Sequence, residues 1–349
     1  MTDWTRYSCQ MSLPGFDEQT QQKLAAAKVL VAGAGGLGCP ALQYLVSSGV
    51  GTIGIADYDT VSIKNLHRQI LYTPADEGKK KVFVAIEKLS AQNPEVRFEA
   101  HDIQVSADNV NELIGAYDVV IDCTDNFDTR YLLNDACVIA GKPLVYGAIY
   151  QYEGQVAVWN VTNEDGSRSP NYRDLYPEVN AAVVPNCAEG GVIPTIAGMI
   201  GCIQANEVIK CITGIGEVLA GKLLVLNAQT MQSRIVKLGT TTRTIISALP
   251  ATITPQEISP DELKDKMSDY QLIDVRTAGE HSLYNIGGVH IPLPELASAE
   301  IDAGIPIVCY CASGKRSVEA VKILSGKYPG AKLYSLQGGL DAWPVEYQG

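Results

Sequence analysis

Short apolar runs alternate with segments of helical spacing over the first 125 residues. Lys28–Ala32 is a short apolar run of the kind that forms a strand buried on both faces, and Tyr117–Asp122 is another apolar strand. Thr52–Ala56 is predicted as the next strand, and Val96–Ala100 is strand-like. Between them, Leu37–Ser48 and Val82–Gln92 place apolar residues at helical spacing. Strands that alternate with helices predict an α/β fold with a doubly wound, Rossmann-like parallel sheet.

After Pro143 the pattern changes to strands that extend this first half. Four runs are predicted as added strands: Leu144–Ile149, Gln155–Asn160, Leu223–Leu226 and Ser233–Lys237. A helix is predicted over Thr195–Thr213. The polar segment Asn163–Asn186 contains four Pro or Gly residues, which predicts a mobile crossover loop.

A Thr-rich stretch without clear period separates this half from a second, smaller α/β unit. We predict domains over residues 1–240 and 255–349, joined by a linker over 241–254. The second unit is predicted to contain two helices and three strands: Pro260–Met267, Gln271–Asp274, Ile305–Tyr310, Ser317–Lys327 and Lys332–Ser335.

Composition narrows the class of protein without naming a function. The 349 residues are 46% hydrophobic and 19% charged, as in folded globular proteins. A formal net charge of -12 argues against nonspecific binding of nucleic acid, which needs Lys and Arg to neutralise phosphates. No signal peptide is visible, and the longest near-apolar stretch, 190–203, is too short to span a bilayer. We predict a cytoplasmic protein with no membrane role.

A glycine-rich loop lies between the first predicted strand and the first predicted helix. Gly33, Gly35, Gly36 and Gly38 let the backbone approach phosphates, whose charge is stabilised by unpaired N–H groups at the helix start. Asp57, 19 positions after Gly38, is a candidate acceptor for a ribose hydroxyl. These residues are also compatible with a dinucleotide such as NAD.

The residues beyond Asp57 favour ATP. Arg68 and Lys81 are candidates to neutralise a triphosphate, and Asp125 at the carboxyl end of a predicted strand is a candidate ligand of Mg²⁺. A site for hydride transfer has no need of such a cluster, whereas a site for adenylation does. The sequence therefore favours nucleotidyl transfer over a NAD-dependent oxidoreductase.

Cys311 ends the apolar run at 305–310 and opens a loop that enters the next helix. Such a loop can direct backbone N–H groups and a helix N-terminus at one sulfur and stabilise a persulfide anion. Strand alternation is expected to turn Cys309 to the opposite, core side. The loop continues with six residues, of which Lys315 and Arg316 add positive charge: Ala312, Ser313, Gly314, Lys315, Arg316 and Ser317.

The chain contains nine cysteines and no C-x-x-C pair, so neither a disulfide framework nor a tetrathiolate zinc site is indicated. Most are expected to be small buried hydrophobic residues. Cys311 and Cys187 are the candidates for chemistry. The four histidines show no metal-ligand spacing.

Residues 1 to about 240 resemble the MoeB/ThiF family of ubiquitin-activating-enzyme-like adenylyltransferases. The motifs that carry the resemblance stand in the family's order: Arg6-Tyr7-x-x-Gln10, Gly15-Phe16, the glycine-rich loop, Asp57-x-Asp59, Asn65-Leu66-x-Arg68-Gln69, Lys81 and Thr124-Asp125-Asn126. The resemblance implies a homodimer that uses ATP to adenylate the C-terminal Gly-Gly carboxylate of a ubiquitin-like sulfur carrier protein. It implies that Asp125 binds Mg²⁺, and that the other contacts to ATP come from Asp57, Asp59, Asn65, Arg68, Gln69, Lys81 and Asn126.

Two departures from the family pattern limit this transfer. Cys9 stands where the family has an arginine that reaches the other subunit's ATP. Where the family's structural zinc has its first pair of cysteines, this chain has Asn171 and Asp174, and no cysteine lies between Cys211 and Cys309. We therefore predict no zinc site.

Residues from about 255 onward resemble a rhodanese domain. The motifs are Asp274-Val275-Arg276, Glu280-His281, Gly287-Gly288-Val289-His290-Ile291-Pro292, the Cys311 loop, and Gly338-Gly339-Leu340-x-Ala342-Trp343. The resemblance implies that Cys311 carries sulfur as a persulfide, taken from an upstream donor such as a cysteine desulfurase. In the MoeB/ThiF family a cysteine at the position of Cys187 lies on the crossover loop. In some members this cysteine is proposed to form a thioester or a disulfide with the carrier, so the resemblance makes Cys187 a candidate for such a link.

Together the two resemblances imply adenylation of a carrier followed by sulfur transfer to give a thiocarboxylate. Carriers of the molybdopterin, thiamine and tRNA-thiolation pathways all end in Gly-Gly, so the motifs leave the pathway open. A noncatalytic scaffold that docks a carrier is the alternative that Cys9 and the missing zinc ligands keep open.

Overall fold

One eight-stranded sheet organises the first part of the chain. Its strands are β1 (Lys28–Ala32), β2 (Thr52–Ala56), β3 (Arg97–His101), β4 (Val119–Asp122), β5 (Leu144–Tyr150), β6 (Glu153–Trp159), β7 (Lys222–Asn227) and β8 (Gln232–Lys237). Their order across the sheet is β3-β2-β1-β4-β5-β6-β7-β8. The first five strands pair in parallel and β6 to β8 add on in antiparallel. The strand order reverses between β1 and β4, which confirms the doubly wound fold.

These features come from a computed structural model, which describes residues 3–177, 191–249 and 255–344. It divides into two compact units, 1–250 and 251–349. The helices of the first unit are α1 (Ser8–Met11), α2 (Glu18–Ala26), α3 (Gly38–Ser48), α4 (Lys81–Gln92), α5 (Val110–Gly115), α6 (Phe127–Ala140), α7 (Tyr172–Leu175) and α8 (Pro194–Thr213). In the described part of the chain, no helix has the length and apolar character needed to cross a membrane.

The central strands of this sheet are buried on both faces, as their apolar sequences predict. Along β1, Val29 and Val31 belong to one apolar cluster, and Leu30 and Ala32 belong to a second cluster on the other face. Successive side chains of a strand point to opposite faces, so every position of such a strand must be apolar. The edge strand β3 is an exception, since it is partly exposed and alternates polar and apolar residues.

The second unit is a smaller sheet with helices. Its strands are β9 (Gln256–Ile258), β10 (Gln271–Asp274), β11 (Val289–His290), β12 (Ile307–Tyr310) and β13 (Leu333–Leu336), and its helices are α9 (Pro260–Asp265), α10 (Ala278–Leu283) and α11 (Lys315–Lys327). The strand order is β11-β10-β12-β13-β9, and all neighbours are parallel. The domain and linker limits inferred from sequence stay a prediction.

The predicted mobile loop over Asn163–Asn186 is wrong for its first part. Asn171 and Asp174 form a reciprocal capping box around α7, and Tyr172 is fully buried among aromatic side chains. A polar segment with Pro and Gly can still be ordered when its caps and one buried aromatic side chain are satisfied. Residues 178–190, which include the candidate Cys187, lie outside the described residues.

The predicted end of one strand also differs from the structure. β6 stops at Trp159, and Asn160 adopts a left-handed backbone conformation with φ 59°. The Asn160 side chain donates to the carbonyl oxygens of Cys137 and Lys142, both at 2.9 Å. Asparagine tolerates this conformation because its short side chain can bond locally.

Candidate functional sites

The glycine-rich loop is packed so closely that two of its glycines admit no side chain. Gly33 has φ 97°, and a Cβ atom there would lie 2.7 Å from the carbonyl oxygen of Cys123. A Cβ on Gly38 would lie 2.0 Å from the carbonyl oxygen of Gly33. These contacts bring the loop against the carboxyl end of β4, where a doubly wound sheet has its ligand crevice.

Asp57 and Tyr72 hold the loop in this conformation. Asp57 accepts hydrogen bonds from the backbone N–H groups of Ala34 and Asp59, both at 2.8 Å, and burial raises the pKa of its carboxyl. The buried Tyr72 hydroxyl donates to the carbonyl oxygen of Ala34 at 2.9 Å. Asp57 therefore acts on the loop itself, and its role as acceptor of a ribose hydroxyl stays a prediction.

A short turn sets Arg68 and Gln69 over the loop. The carbonyl oxygen of Asn65 accepts the backbone N–H groups of both residues, at 3.1 and 3.0 Å. A Cβ on Gly36 would touch Arg68 Cγ at 3.3 Å, and a Cβ on Gly35 would touch Gln69 Nε2 at 3.4 Å. The Gln69 side chain is buried, and its Oε1 has no hydrogen-bond partner among the residues that the structure describes. An unpartnered buried acceptor beside a glycine-rich loop is suited to a ligand that brings a donor.

Charged side chains converge on the same edge of the sheet. The buried Lys81 ammonium pairs with the exposed Asp59 carboxylate at 2.8 Å. The pKa of the Tyr58 hydroxyl is raised, chiefly by burial and also by the negative charges of Asp59, Asp125 and Asp57. The positive charge of Lys81 partly opposes this shift. The structure therefore brings together four predicted site residues from three separate segments of the sequence.

A buried ion pair lies behind the segment that carries Asp125. Arg130 Nε donates to Asp122 Oδ2 at 3.0 Å, and Arg130 Nη2 donates to the carbonyl oxygen of Thr124 at 3.0 Å. Asp122 also accepts from the backbone and hydroxyl of Thr124. Asn126 caps α6 by accepting the N–H of Thr129 at 2.8 Å, so its amide contributes to the shape of the segment as well.

The pairing of Arg130 with Asp122 was not predicted from the sequence. The available signal was the acidic residue at the end of an apolar strand, followed eight positions later by an arginine inside a helix. A charge in so apolar a run must be paired when it is buried. Gln204 of α8 was missed altogether; its Nε2 donates to the carbonyl oxygen of Asp122 at 2.8 Å.

In the second unit, Cys311 is fully buried at the end of β12. Gly314 has φ 88°, and Gly339 is so close that a Cβ would lie 2.5 Å from the carbonyl oxygen of Cys311. Within residues 255–344, the Ser317 hydroxyl lies 3.7 Å from its sulfur, and the Arg316 side chain interacts with the sulfur as well. The expected set of backbone N–H groups at the sulfur stays a prediction.

The expectation that Cys309 faces away from Cys311 is wrong. Both thiols belong to one buried cluster with Ile273 and Ile307. Residues two positions apart on a strand share a face, so the two thiols had to lie on the same side. The core part of the expectation is confirmed, since Cys309 is fully buried and burial raises its pKa to about 12.

Arg316 is held by an acidic partner that the sequence did not reveal. Its two terminal nitrogens donate to both carboxylate oxygens of Glu280, at 2.8 and 2.6 Å. The Glu280 pKa is lowered to about 2, chiefly by this pair, and the Arg316 pKa is raised by Glu280 and by the interaction with Cys311. Lys315 is exposed. The two cations of the loop therefore differ, because only Arg316 is fixed beside the sulfur.

The structure describes the surroundings of Cys9, Asn171 and Asp174, which depart from the family pattern. Cys9 is exposed, and Arg6 Nη1 donates to the carbonyl oxygen of Gln92 at 3.2 Å. Asp174 Oδ2 accepts from the backbone N–H of Asn171 and from the Thr242 hydroxyl. No group of three or more potential metal ligands was found among residues 3–177, 191–249 and 255–344.

The fold and these two sites define a nucleotide-binding α/β unit in one chain with a thiol-bearing unit. The ThiF family model matches residues 7–245, and the rhodanese-like domain model matches residues 259–346. The chain belongs to the ThiF family and carries a rhodanese-like domain. ATP is the nucleotide that this family of adenylyltransferases uses.

Several relatives share both parts. The chain is 40% identical over 369 residues to a Mycobacterium tuberculosis protein described as a probable adenylyltransferase/sulfurtransferase MoeZ, which covers 98% of this chain and 93% of that protein. A sulfur carrier protein adenylyltransferase of Thermus thermophilus is 48% identical over 224 residues, 64% of this chain and 83% of its own length. The chain is accordingly an enzyme of the adenylyltransferase and sulfurtransferase class.

Solved structures show the same fold. The crystal structure of E. coli MccB with ATP superposes with a TM-score of 0.59 at 21% identity, covering 70% of this chain and 74% of that chain. At this identity the likeness concerns the fold alone.

Proposed function

We propose that this enzyme adenylates the C-terminal glycine of a ubiquitin-like sulfur carrier protein and then transfers sulfur to it from a persulfide on Cys311. The observation that carries the proposal is the pairing, in one chain, of a glycine-rich nucleotide loop surrounded by Lys81, Asp59 and Asp125 with a buried thiol beside Arg316. The product is a carrier thiocarboxylate. Such carriers serve molybdopterin, thiamine and tRNA-thiolation pathways, and we leave the choice to experiment.

In the first step, the carrier carboxylate attacks the α-phosphorus of ATP and pyrophosphate leaves. The chain mainly has to position the reactants and neutralise charge. Arg68 and Lys81 are the cations we assign to the phosphates, and the glycine-rich loop supplies backbone N–H groups. Lys81 is already oriented by Asp59, so its ammonium does not have to be ordered when ATP binds.

The donor set fits a magnesium ion. Asp125 is exposed at the carboxyl end of β4, and Asp59 lies near the same Tyr58 hydroxyl. Carboxylate oxygens are hard ligands of the kind that Mg²⁺ prefers, together with phosphate oxygens. We assign Asp125 as the Mg²⁺ ligand; the bound ion would neutralise charge on the phosphates as pyrophosphate leaves.

In the second step, the outer sulfur of the Cys311 persulfide attacks the carbonyl carbon of the acyl adenylate and AMP leaves. This gives an acyl disulfide. A thiol then attacks Cys311 Sγ, which releases the thiocarboxylate and leaves a disulfide between that thiol and Cys311, and an external thiol reduces this disulfide before the next cycle. Cys187 is a candidate for that thiol or for a thioester with the carrier. Because Cys311 is fully buried, loading and transfer require the surrounding loop to move.

Three further points belong to the proposal. A homodimer is part of the proposal because the family resemblance implies one. The upstream donor is expected to be a persulfide protein such as a cysteine desulfurase. Zinc is not expected, because the oxygen ligands at Asn171 and Asp174 are already hydrogen-bonded and structural zinc takes thiolate or imidazole.

ATP–pyrophosphate exchange with a panel of purified Gly-Gly carriers tests the first step. We expect exchange that depends on one carrier and on Mg²⁺, and that is lost in an Asp125→Ala variant but retained in Cys311→Ser. A chain that binds a carrier but exchanges no pyrophosphate with any of them would be a docking scaffold instead.

A further inference from the structure

Two buried serine hydroxyls meet beside the Cys311 sulfur. Ser317 Oγ and Ser335 Oγ lie 2.8 Å apart, and both residues are fully buried. Ser317 belongs to the thiol loop, whereas Ser335 lies on β13 and outside every motif of the sequence. Its neighbours in the sheet are Cys309 on β12 and Glu257 on β9. A hydroxyl at this buried position needs a partner, and Ser317 supplies it.

The Ser317 oxygen is the centre of this group. It lies 2.9 Å from the carbonyl oxygen of Gly314, 3.7 Å from Cys311 Sγ and 2.8 Å from Ser335 Oγ. The carbonyl oxygen can only accept, so with a neutral thiol Ser317 donates to Gly314. The Cys311 S–H and the Ser335 O–H can then both donate to Ser317 Oγ, which has two lone pairs.

Ionisation of the sulfur reverses one of these bonds. A thiolate or persulfide anion at Cys311 has no proton to donate and needs a donor. Ser317 has one proton, which can rotate from Gly314 to the sulfur, while the sulfur's own proton leaves to solvent. Ser335 keeps donating to Ser317 in both states, and a hydroxyl that accepts a hydrogen bond becomes a stronger donor.

We propose that Ser335 is a positioning residue for sulfur transfer: it holds and polarises Ser317 so that Ser317 can donate to the Cys311 anion. This rests on the proposed persulfide role of Cys311. Ser335 does not touch the sulfur-transfer partners and acts only through Ser317.

Two other charged or titratable groups among the described residues face the sulfur. Arg316 faces it from the loop and interacts with it, while Glu280 of α10 accepts one hydrogen bond from each terminal nitrogen of Arg316. Cys309 faces it from β12, and burial raises the pKa of its thiol to about 12, so it stays neutral. Cys311 also belongs to a buried apolar cluster that includes Ile307 and Leu333. In such surroundings one hydroxyl donor counts for more than it would in water.

The test compares Ser335→Ala, Ser317→Ala, the double variant and Ser335→Thr in the full chain. Ser325→Ala is the matched control, because Ser325 is a partly buried serine on α11 that donates only to the carbonyl oxygen of Val321. Two rates are measured by mass spectrometry of the Cys311 peptide: persulfide formation with thiosulfate, and alkylation by iodoacetamide as a function of pH.

We expect Ser335→Ala to slow both reactions about fivefold at neutral pH, the value of one ordinary hydrogen bond. Its alkylation midpoint should move to higher pH, which a mere loosening of the loop would not cause. The double variant should equal Ser317→Ala, and Ser335→Thr should restore most of the rate.

Two results would overturn the inference. One is a Ser335→Ala rate and pH profile equal to those of the wild type. The other is a double variant slower than Ser317→Ala by the full Ser335→Ala factor, which would make Ser335 independent of Ser317. If instead the wild type forms no persulfide at Cys311, the proposed function of Cys311 fails, and the comparison of variants shows this separately.

Discussion

Replacing Arg130 by methionine should destabilise the first unit and slow adenylation together. Asp122 is fully buried and Arg130 nearly so, at 7% exposure. Removing one partner of a buried pair leaves an uncompensated charge, which typically costs about 3–5 kcal/mol. The pair also fixes the Thr124 carbonyl oxygen next to Asp125. Loss of a hydrogen bond to a charged group costs about 1.5–3 kcal/mol, so we expect pyrophosphate exchange to fall at least tenfold.

Urea unfolding can follow this unit alone. Trp159 packs against Tyr146 and Tyr172, which both lie near the Arg130 guanidinium. A background with Trp4→Phe and Trp343→Phe leaves Trp159 as the reporter, since the chain has three tryptophans. The matched comparison is the double variant Asp122→Asn, Arg130→Met, which removes both charges.

The double variant should be more stable than the sum of the two single changes predicts, because neither charge is left alone. Two results would refute the reasoning. The first is a cost below about 1 kcal/mol for Arg130→Met, a range typical of exposed ion pairs. The second is strict additivity of the two single changes.

Three further predictions test separate parts of the account. Gly38→Ala should abolish ATP binding in calorimetry, because the new Cβ would lie 2.0 Å from a backbone oxygen. The control Gly115→Ala, whose Cβ would meet no atom within 4 Å, should bind ATP normally. Equal ATP binding by the two variants would contradict the close packing of the loop. Since the Glu280 pKa is lowered to about 2 from its usual 4.5, the ion pair of Glu280 stabilises the second unit above pH 4.5, and this stabilisation is lost as the pH falls toward 2. The Glu280→Gln variant should lack this part of the acid dependence. Identical acid unfolding of the variant and the wild type would argue against a stabilising ion pair. Asp174→Ala should lower the melting temperature while a chelator leaves the wild type unchanged, and stoichiometric zinc in the purified protein would overturn this reading.

The central strands of the first unit were predictable because their apolar runs are uninterrupted. β1 and β2 have the predicted bounds, since each strand is buried on both faces and ends at a glycine or an aspartate. The nucleotide loop was predictable for a related reason: Gly33 and Gly38 are needed for close backbone contacts, and these contacts leave a spacing in the sequence. The family resemblance then named the class, and the family models confirm it.

The partners of the site residues were not predictable, because they are distant in sequence. Ser335 reaches Ser317 across 18 positions and Glu280 reaches Arg316 across 36, with no periodicity that links them. The ordered turn at Tyr172 was missed because its stability comes from aromatic rings of other elements. The face of the sheet on which Cys309 lies was predictable. The prediction was wrong because it placed residues two positions apart on opposite faces, whereas they share one face.

The central claim is that one chain both activates the carrier and supplies its sulfur. The most direct measurement is mass spectrometry of the carrier after incubation with ATP, Mg²⁺ and a sulfur donor. The wild type should convert the C-terminal carboxylate to a thiocarboxylate, whereas Cys311→Ser should form the acyl adenylate and stop there. Thiocarboxylate formed by Cys311→Ser at the wild-type rate would contradict the account, because sulfur would then reach the carrier without the thiol of the second unit.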